Sequence, residues 1–260
     1  MTFDDLHTWL IDYVAAYPRE YNELAVWREP VMACAPADDR FQRLKKITVP
    51  DHALPQDLLP AAATVVVWFV PFKRHLQRDN TRGKRPALSW GRAYVSTNAM
   101  IERTGRAMQA LIEHAGGEAA LTPSTHNFDK QRLVSRWSHK HLGHLIGLGR
   151  YGTHCQFITP VGCSGRMGSL VTGVDLGDHP LVNADELCLL KAGKPCGLCI
   201  KACPVDALSE KGMDRAACYA RLQANYRLLM EPDGLPDTTE VCAKCQVGMP
   251  CSLTSPLPVG

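Results

Sequence analysis

The 260-residue chain is 45% apolar and 21% charged and carries a net charge of +3 at neutral pH. That balance is ordinary for a soluble globular protein, and so small a net charge gives no global argument for nucleic-acid binding. The most apolar run, residues 61–72, is about half of what a membrane span requires. No secretory signal is expected, because residues 1–5 carry no basic residue and no cleavage site follows an apolar run. A cytoplasmic location is the expectation, and there the eleven cysteines read as metal ligands rather than disulfides.

In chain order, Thr2 and Asp5 form a capping box, and Leu6, Trp9, Leu10, Tyr13 and Val14 follow at helical spacing. Tyr17-Pro18 should end that helix. Residues 28–60 hold several prolines and mixed charge and read as irregular, with room for one short strand. The β-branched and aromatic run of residues 63–70 suits a strand buried on both faces. Residues 73–85 carry six Lys or Arg against Asp79 and read as a solvated basic loop, or as a clamp for an anionic group.

From residue 98 to 115 the apolar positions Ile101, Met108, Leu111 and Ile112 make one helical stripe, stopped by Gly116-Gly117. A further helix is expected over 138–146, strands over 155–159 and 168–172, and a helix over 213–230. The mixture implies an α+β layered domain over 1–185, followed by a small cysteine-rich domain over 186–260.

Gly147-Leu148-Gly149-Arg150-Tyr151-Gly152 matches the dinucleotide fingerprint G-x-G-x-x-G. The fingerprint works only between a preceding strand and a following helix, so that the pyrophosphate meets the helix N-terminus. Here a helical pattern precedes and a strand follows, so these glycines are expected to end a helix and turn tightly beside packed or bound groups. His139, His141, His144 and His154 cluster around this turn, and imidazoles can ligate metals or move protons. Solvated positions on a partly exposed helix are the plainer reading. Cys34, Cys155 and Cys163 read as buried or incidental thiols.

Eight cysteines lie from residue 188 onward: Cys188, Cys196, Cys199, Cys203, Cys218, Cys242, Cys245 and Cys251. Cys196-x₂-Cys199-x₃-Cys203-Pro204 is the latter part of the run that serves both clusters of a two-cluster ferredoxin. Its missing first position falls on Gly193, for which Cys188 is the substitute. Eight thiolates match two four-iron clusters, because iron with bridging sulfide prefers soft ligands. Two structural zinc sites would also use eight cysteines, but Cys-x₃-Cys-Pro directly after C-x₂-C is a cluster pattern.

The chain resembles the epoxyqueuosine reductase family, which shares its core with reductive dehalogenases. Four stretches carry the resemblance. They are Trp137-Ser138-His139-Lys140-His141 with Gly147-Leu148-Gly149, Phe157-Ile158-Thr159 with Gly165-Arg166-Met167-Gly168-Ser169, the Cys196 run, and Cys218 with Cys242-Ala243-Lys244-Cys245-Gln246.

The resemblance implies a nitroreductase-like, cobalamin-binding domain followed by a ferredoxin-like domain with two [4Fe–4S] clusters. One cluster would take Cys203, Cys218, Cys242 and Cys245, and the other Cys188, Cys196, Cys199 and Cys251. His139, His141, Gly147 and Gly149 would contact a corrinoid or substrate. The position of the family's proton-donating Asp falls on Leu133, and Asp129 nearby lies in no matching motif.

The chain thus resembles a short member without the tRNA-binding repeats, so tRNA is not an expected partner. The expectation is an iron–sulfur oxidoreductase passing electrons from a ferredoxin- or flavodoxin-type donor to a cobalamin-type cofactor or small organic substrate. The alternative is an electron-transfer protein without chemistry of its own, docking on a partner enzyme.

Overall fold

The computed structural model describes residues 1–123 and 127–260. Helix α1 (Phe3–Glu20) opens on the Thr2–Asp5 capping box, with both reciprocal bonds formed. It runs past Pro18 to Glu20 instead of stopping there. A proline within the last turn removes one backbone donor but leaves the Tyr21 N–H free to close on the Tyr17 carbonyl.

Four antiparallel strands make one sheet, β1 (Val31–Pro36), β2 (Thr64–Pro71), β3 (Ala119–Leu121) and β4 (Gly165–Thr172), in the order β1-β2-β4-β3. Every residue of β2 is buried, as its unbroken apolar run requires. Its two faces enter different cores. Val66, Trp68 and Val70 meet Leu6, Leu10 and Val14 of α1 and Met100, Ile101 and Met108 of the next long helix. Val65, Val67 and Phe69 face Phe41, Leu44, Trp137, Leu142 and Ile146. Each such side chain contributes about 1.5–3 kcal/mol on burial.

The basic stretch after β2 is a helix, α2 (Arg74–Thr81), rather than a solvated loop. Its charged residues face solvent, while Leu76, Gln77 and Asn80 are buried on the other side. Helix α3 (Leu88–His114) begins ten residues before the apolar stripe that marks it. The early turns are held by buried small polar residues, with Thr97 accepting from Trp27 Nε1–H at 2.8 Å. Helix α4 (His139–Leu145) falls where expected, whereas the expected strand over 155–159 reduces to Phe157–Ile158 paired with Arg150–Tyr151. Cys155 at φ +56 bends the chain out of any longer ladder.

In the cysteine-rich segment, α5 (Leu198–Lys201) is a single turn and α6 (Arg215–Asn225) continues into a wider turn, Tyr226–Met230. Met230, Val241 and Val247 join the main core. Met230 can approach α3 because Gly91 has no side chain; a Cβ there would lie 3.1 Å from its Cε. Among the described residues no helix is long and apolar enough to cross a membrane.

Candidate metal centres

Cys203, Cys218, Cys242 and Cys245 line one chamber, a cavity of about 210 Å³. Cys218 projects from α6, and the loop bearing Cys242 and Cys245 is clamped from two sides. Asn225 Nδ2 donates to the Val241 carbonyl at 2.8 Å and Asn80 Nδ2 to the Cys242 carbonyl at 2.9 Å. The buried Lys244 ammonium donates back to the carbonyls of Asn80 and Arg82 at 2.6 and 2.9 Å. The basic stretch thus acts through the polar, inward side of α2, as a brace for the cysteine loop. Ala243 at φ +59 turns the chain between the two cysteines.

Cys188, Cys196, Cys199 and Cys251 line a second, narrower chamber of about 20 Å³ with Thr153 and His154. Gly197, at φ +93, opens the turn that carries Cys199. Cys251 is held by backbone pairing: Cys163 N–H donates to the Cys251 carbonyl at 2.8 Å and Ser164 N–H to the Ser252 carbonyl at 3.1 Å. That pairing puts Cys163 Sγ 4.0 Å from Cys251 Sγ, and the sulfurs of both lie within 4.8 Å of a His154 ring nitrogen.

All eleven cysteines are free thiols. Burial pushes Cys218 up to about 11, with Cys242 and Cys203 adding to the shift, and Cys199 up to about 11, with Cys251 and Cys188 adding. Cys245 is also pushed up, by burial first and then by Cys242, Cys218 and Cys199. Cys251 goes the other way, held down by the neighbouring Cys163 thiol and then by His154. Thiols gathered in groups of four are a soft donor set that a metal would bind by displacing protons.

Beside the first chamber stand Phe72, Trp90, Tyr94 and Arg166, with the Arg166 guanidinium 4.2 Å from the Tyr94 ring centroid. One turn further along α3, a cavity of about 420 Å³ opens against β4, lined by Trp68, Asn98, Leu121, Thr122 and Ser169 among others. Among the described residues, Trp68 Nε1, Asn98 Oδ1 and Thr122 Oγ1 are buried without a hydrogen-bond partner. Glu102 and Arg106 at its edge pair with each other.

The other expected contacts lie elsewhere. His139 is buried, with Nδ1 2.8 Å from Ser169 Oγ and Nε2 3.3 Å from the Pro123 carbonyl, and burial lowers its pKa to about 4. His141 lies 2.8 Å from Ser138 Oγ and against the Tyr151 ring, also lowered to about 4 by burial. Gly147 and Gly149 serve close packing: a Cβ on Gly147 would lie 2.7 Å from Pro180, and one on Gly149 would strike the Ile158 carbonyl. None of these four lines either chamber or the α3–β4 cavity. The glycine run follows α4 and enters a short strand, without the helix that a dinucleotide site needs. Leu133, at φ +54, sits in a short hairpin, and Asp129 is exposed and accepts from the Gln131 and Arg132 N–H groups. Thr153, Cys163, Trp90 and Tyr94 carried no motif that could have singled them out.

No family model and no curated protein matches the sequence. Solved structures do. The epoxyqueuosine reductase of Streptococcus thermophilus aligns at 17% identity and TM-score 0.56, over 95% of this chain and 68% of that one. The catabolic reductive dehalogenase NpRdhA, solved with 3-bromo-4-hydroxybenzoic acid, aligns at 13% identity and TM-score 0.56, over 86% of this chain and 30% of its own. An epoxyqueuosine reductase solved with a tRNA-Tyr stem loop aligns at 12% identity and TM-score 0.50, over 84% and 58%. At such identities the likeness concerns the fold, and the chain has the mixed helix-and-sheet fold of the epoxyqueuosine reductases.

Proposed function

We propose that the protein is an iron–sulfur oxidoreductase related in design to epoxyqueuosine reductase, with two [4Fe–4S] clusters serving a cobalamin-type cofactor or organic substrate. The observation that supports this most is the sorting of eight thiols into two groups of four, each around its own chamber. Cys203, Cys218, Cys242 and Cys245 would hold one cluster and Cys188, Cys196, Cys199 and Cys251 the other. When bound, such clusters supply one-electron transfer at potentials set by burial and by hydrogen bonds to sulfur.

The chain's own part is to hold, orient and shield. The Asn80, Asn225 and Lys244 bonds fix the loop of the first chamber, and Phe72 and Trp90 keep water from its flank, packed edge to face at 5.2 Å. The α3–β4 cavity offers an indole donor, an amide acceptor and a hydroxyl with its nearest charges already paired, which suits a neutral organic group. Its closeness to the first chamber makes that chamber the exit for electrons, and the second their entry from a ferredoxin- or flavodoxin-type donor in the cytoplasm.

Metal analysis of anaerobically purified, reconstituted protein tests the reading. About eight irons with matching acid-labile sulfide are expected, together with binding of hydroxocobalamin followed by visible absorption. Zinc without sulfide overturns the proposal. Iron without corrinoid or substrate binding leaves an electron carrier, and turnover of a modified tRNA stem loop would identify the substrate as tRNA.

A further inference from the structure

The third glycine of the Gly147–Gly152 run makes room for a side chain. A Cβ on Gly152 would lie 2.5 Å from Cε1 and 2.8 Å from Nδ1 of His154. The imidazole folds back over that bare backbone and is 1% exposed. Its Nδ1 accepts the Gln156 N–H at 3.1 Å. A ring nitrogen that accepts carries no proton, so the proton of the neutral ring sits on Nε2. Nε2 lies 3.4 Å from Cys251 Sγ, and the only role left to it is to donate to that sulfur.

The adjacent residue does the same on the other side of the chamber. Thr153 Oγ1 lies 3.4 Å from Cys188 Sγ. A metal-bound thiolate has no proton to give, so there the hydroxyl must be the donor. Thr153 and His154 therefore reach Cys188, the substitute for the missing first position of the ferredoxin run, and Cys251, which follows Cys245 after five residues and has Ser252 rather than Pro behind it. A donor aimed at a ligating sulfur draws charge from it and stabilises the reduced, more negative state.

We propose that His154, seconded by Thr153, is a positioning residue that raises the reduction potential of the group held by Cys188, Cys196, Cys199 and Cys251. The inference rests on the two-cluster reading above. Raising this potential helps the second chamber accept electrons from a donor.

The test is an anaerobic redox titration of the reconstituted full chain, followed by visible absorption and electron paramagnetic resonance, with iron and sulfide counted in each sample. In His154→Leu one of the two one-electron steps should move to lower potential while the other stays. His154→Gln, which keeps an N–H donor, should restore much of the shift. Thr153→Val should lower the same step by less. An unmoved step in fully loaded His154→Leu, or equal movement of both steps, overturns the inference and leaves the two-cluster reading standing. Loss of half the iron in His154→Gln also overturns it, by making the imidazole a ligand. If His154→Leu fails to load, the Gln and Val variants still decide. A wild-type protein that takes up no iron and sulfide overturns the inference together with the reading it rests on.

Discussion

The first thiol chamber hangs on regular structure, whereas the second is made from turns. Cys218 projects from α6, and the Cys242–Cys245 loop is clamped by Asn80 and Lys244 against α2. Met230, Val241 and Val247 carry the same region into the main core. The second chamber gathers Cys188, Cys196, Cys199 and Cys251 from separate turns, joined by the 163–164 to 251–252 backbone pairing. It is also about a tenth as large, 20 against 210 Å³. A site braced by packed helices keeps its shape without its ligand. One assembled from turns depends more on what it binds, because fewer buried contacts oppose local opening.

Metal removal breaks or sharpens that contrast most directly. Cys245→Ser and Cys188→Ser should each lower the iron content by about half, from about eight to about four per chain. The wild type under mild chelation should lose the Cys188 group first. Equal rates of loss from both chambers, read by paramagnetic resonance, would remove the distinction.

Met230→Ala comes next and tests the tie between the first chamber and the core. It empties a fully buried site against Gly91 and should cost about 2–5 kcal/mol of stability. Denaturation of the chain with and without reconstituted metal would measure it. A cost under about 0.5 kcal/mol would mean that the tail folds apart from the sheet.

Acid should loosen the sheet side. His139, neutral against Ser169 of β4, has its pKa lowered from 6.5 to about 4 by burial. The unfolded ring takes a proton below about pH 6.5 and the folded one does not until about pH 4. Stability must therefore be complete above pH 6.5 and fall as pH drops towards 4, by about 3 kcal/mol. His139→Gln should flatten this profile in metal-free protein, and an unchanged slope would rule His139 out as its source. The smallest effect is expected from Gly152→Ala, which pushes the His154 ring from its place. Stability should change little, while only the potential assigned to the second chamber falls.

Local patterns in the chain were legible because they depend on neighbours a few residues apart. The Thr2–Asp5 cap, the doubly buried β2 and α4 follow from capping chemistry and apolar spacing. The early turns of α3 were not legible, since Ser96 and Thr97 are polar letters whose partners come from Glu23 and Trp27 far along the chain. The basic run of 73–85 misled in the same way: its charges are conspicuous in sequence, yet Asn80 and Gln77 supply the contacts that matter.

The spacing of cysteines was enough to suggest a cluster-type donor set of eight thiols, while their division into two sets of four came from the family resemblance and not from spacing. Spacing could not show that Cys163 and His154 stand against Cys251, or that Thr153 reaches Cys188. Those contacts join residues 35 to 97 positions apart. They exist only because backbone pairing at 163–164 and the bare Gly152 bring distant turns together, and no local propensity encodes such a meeting.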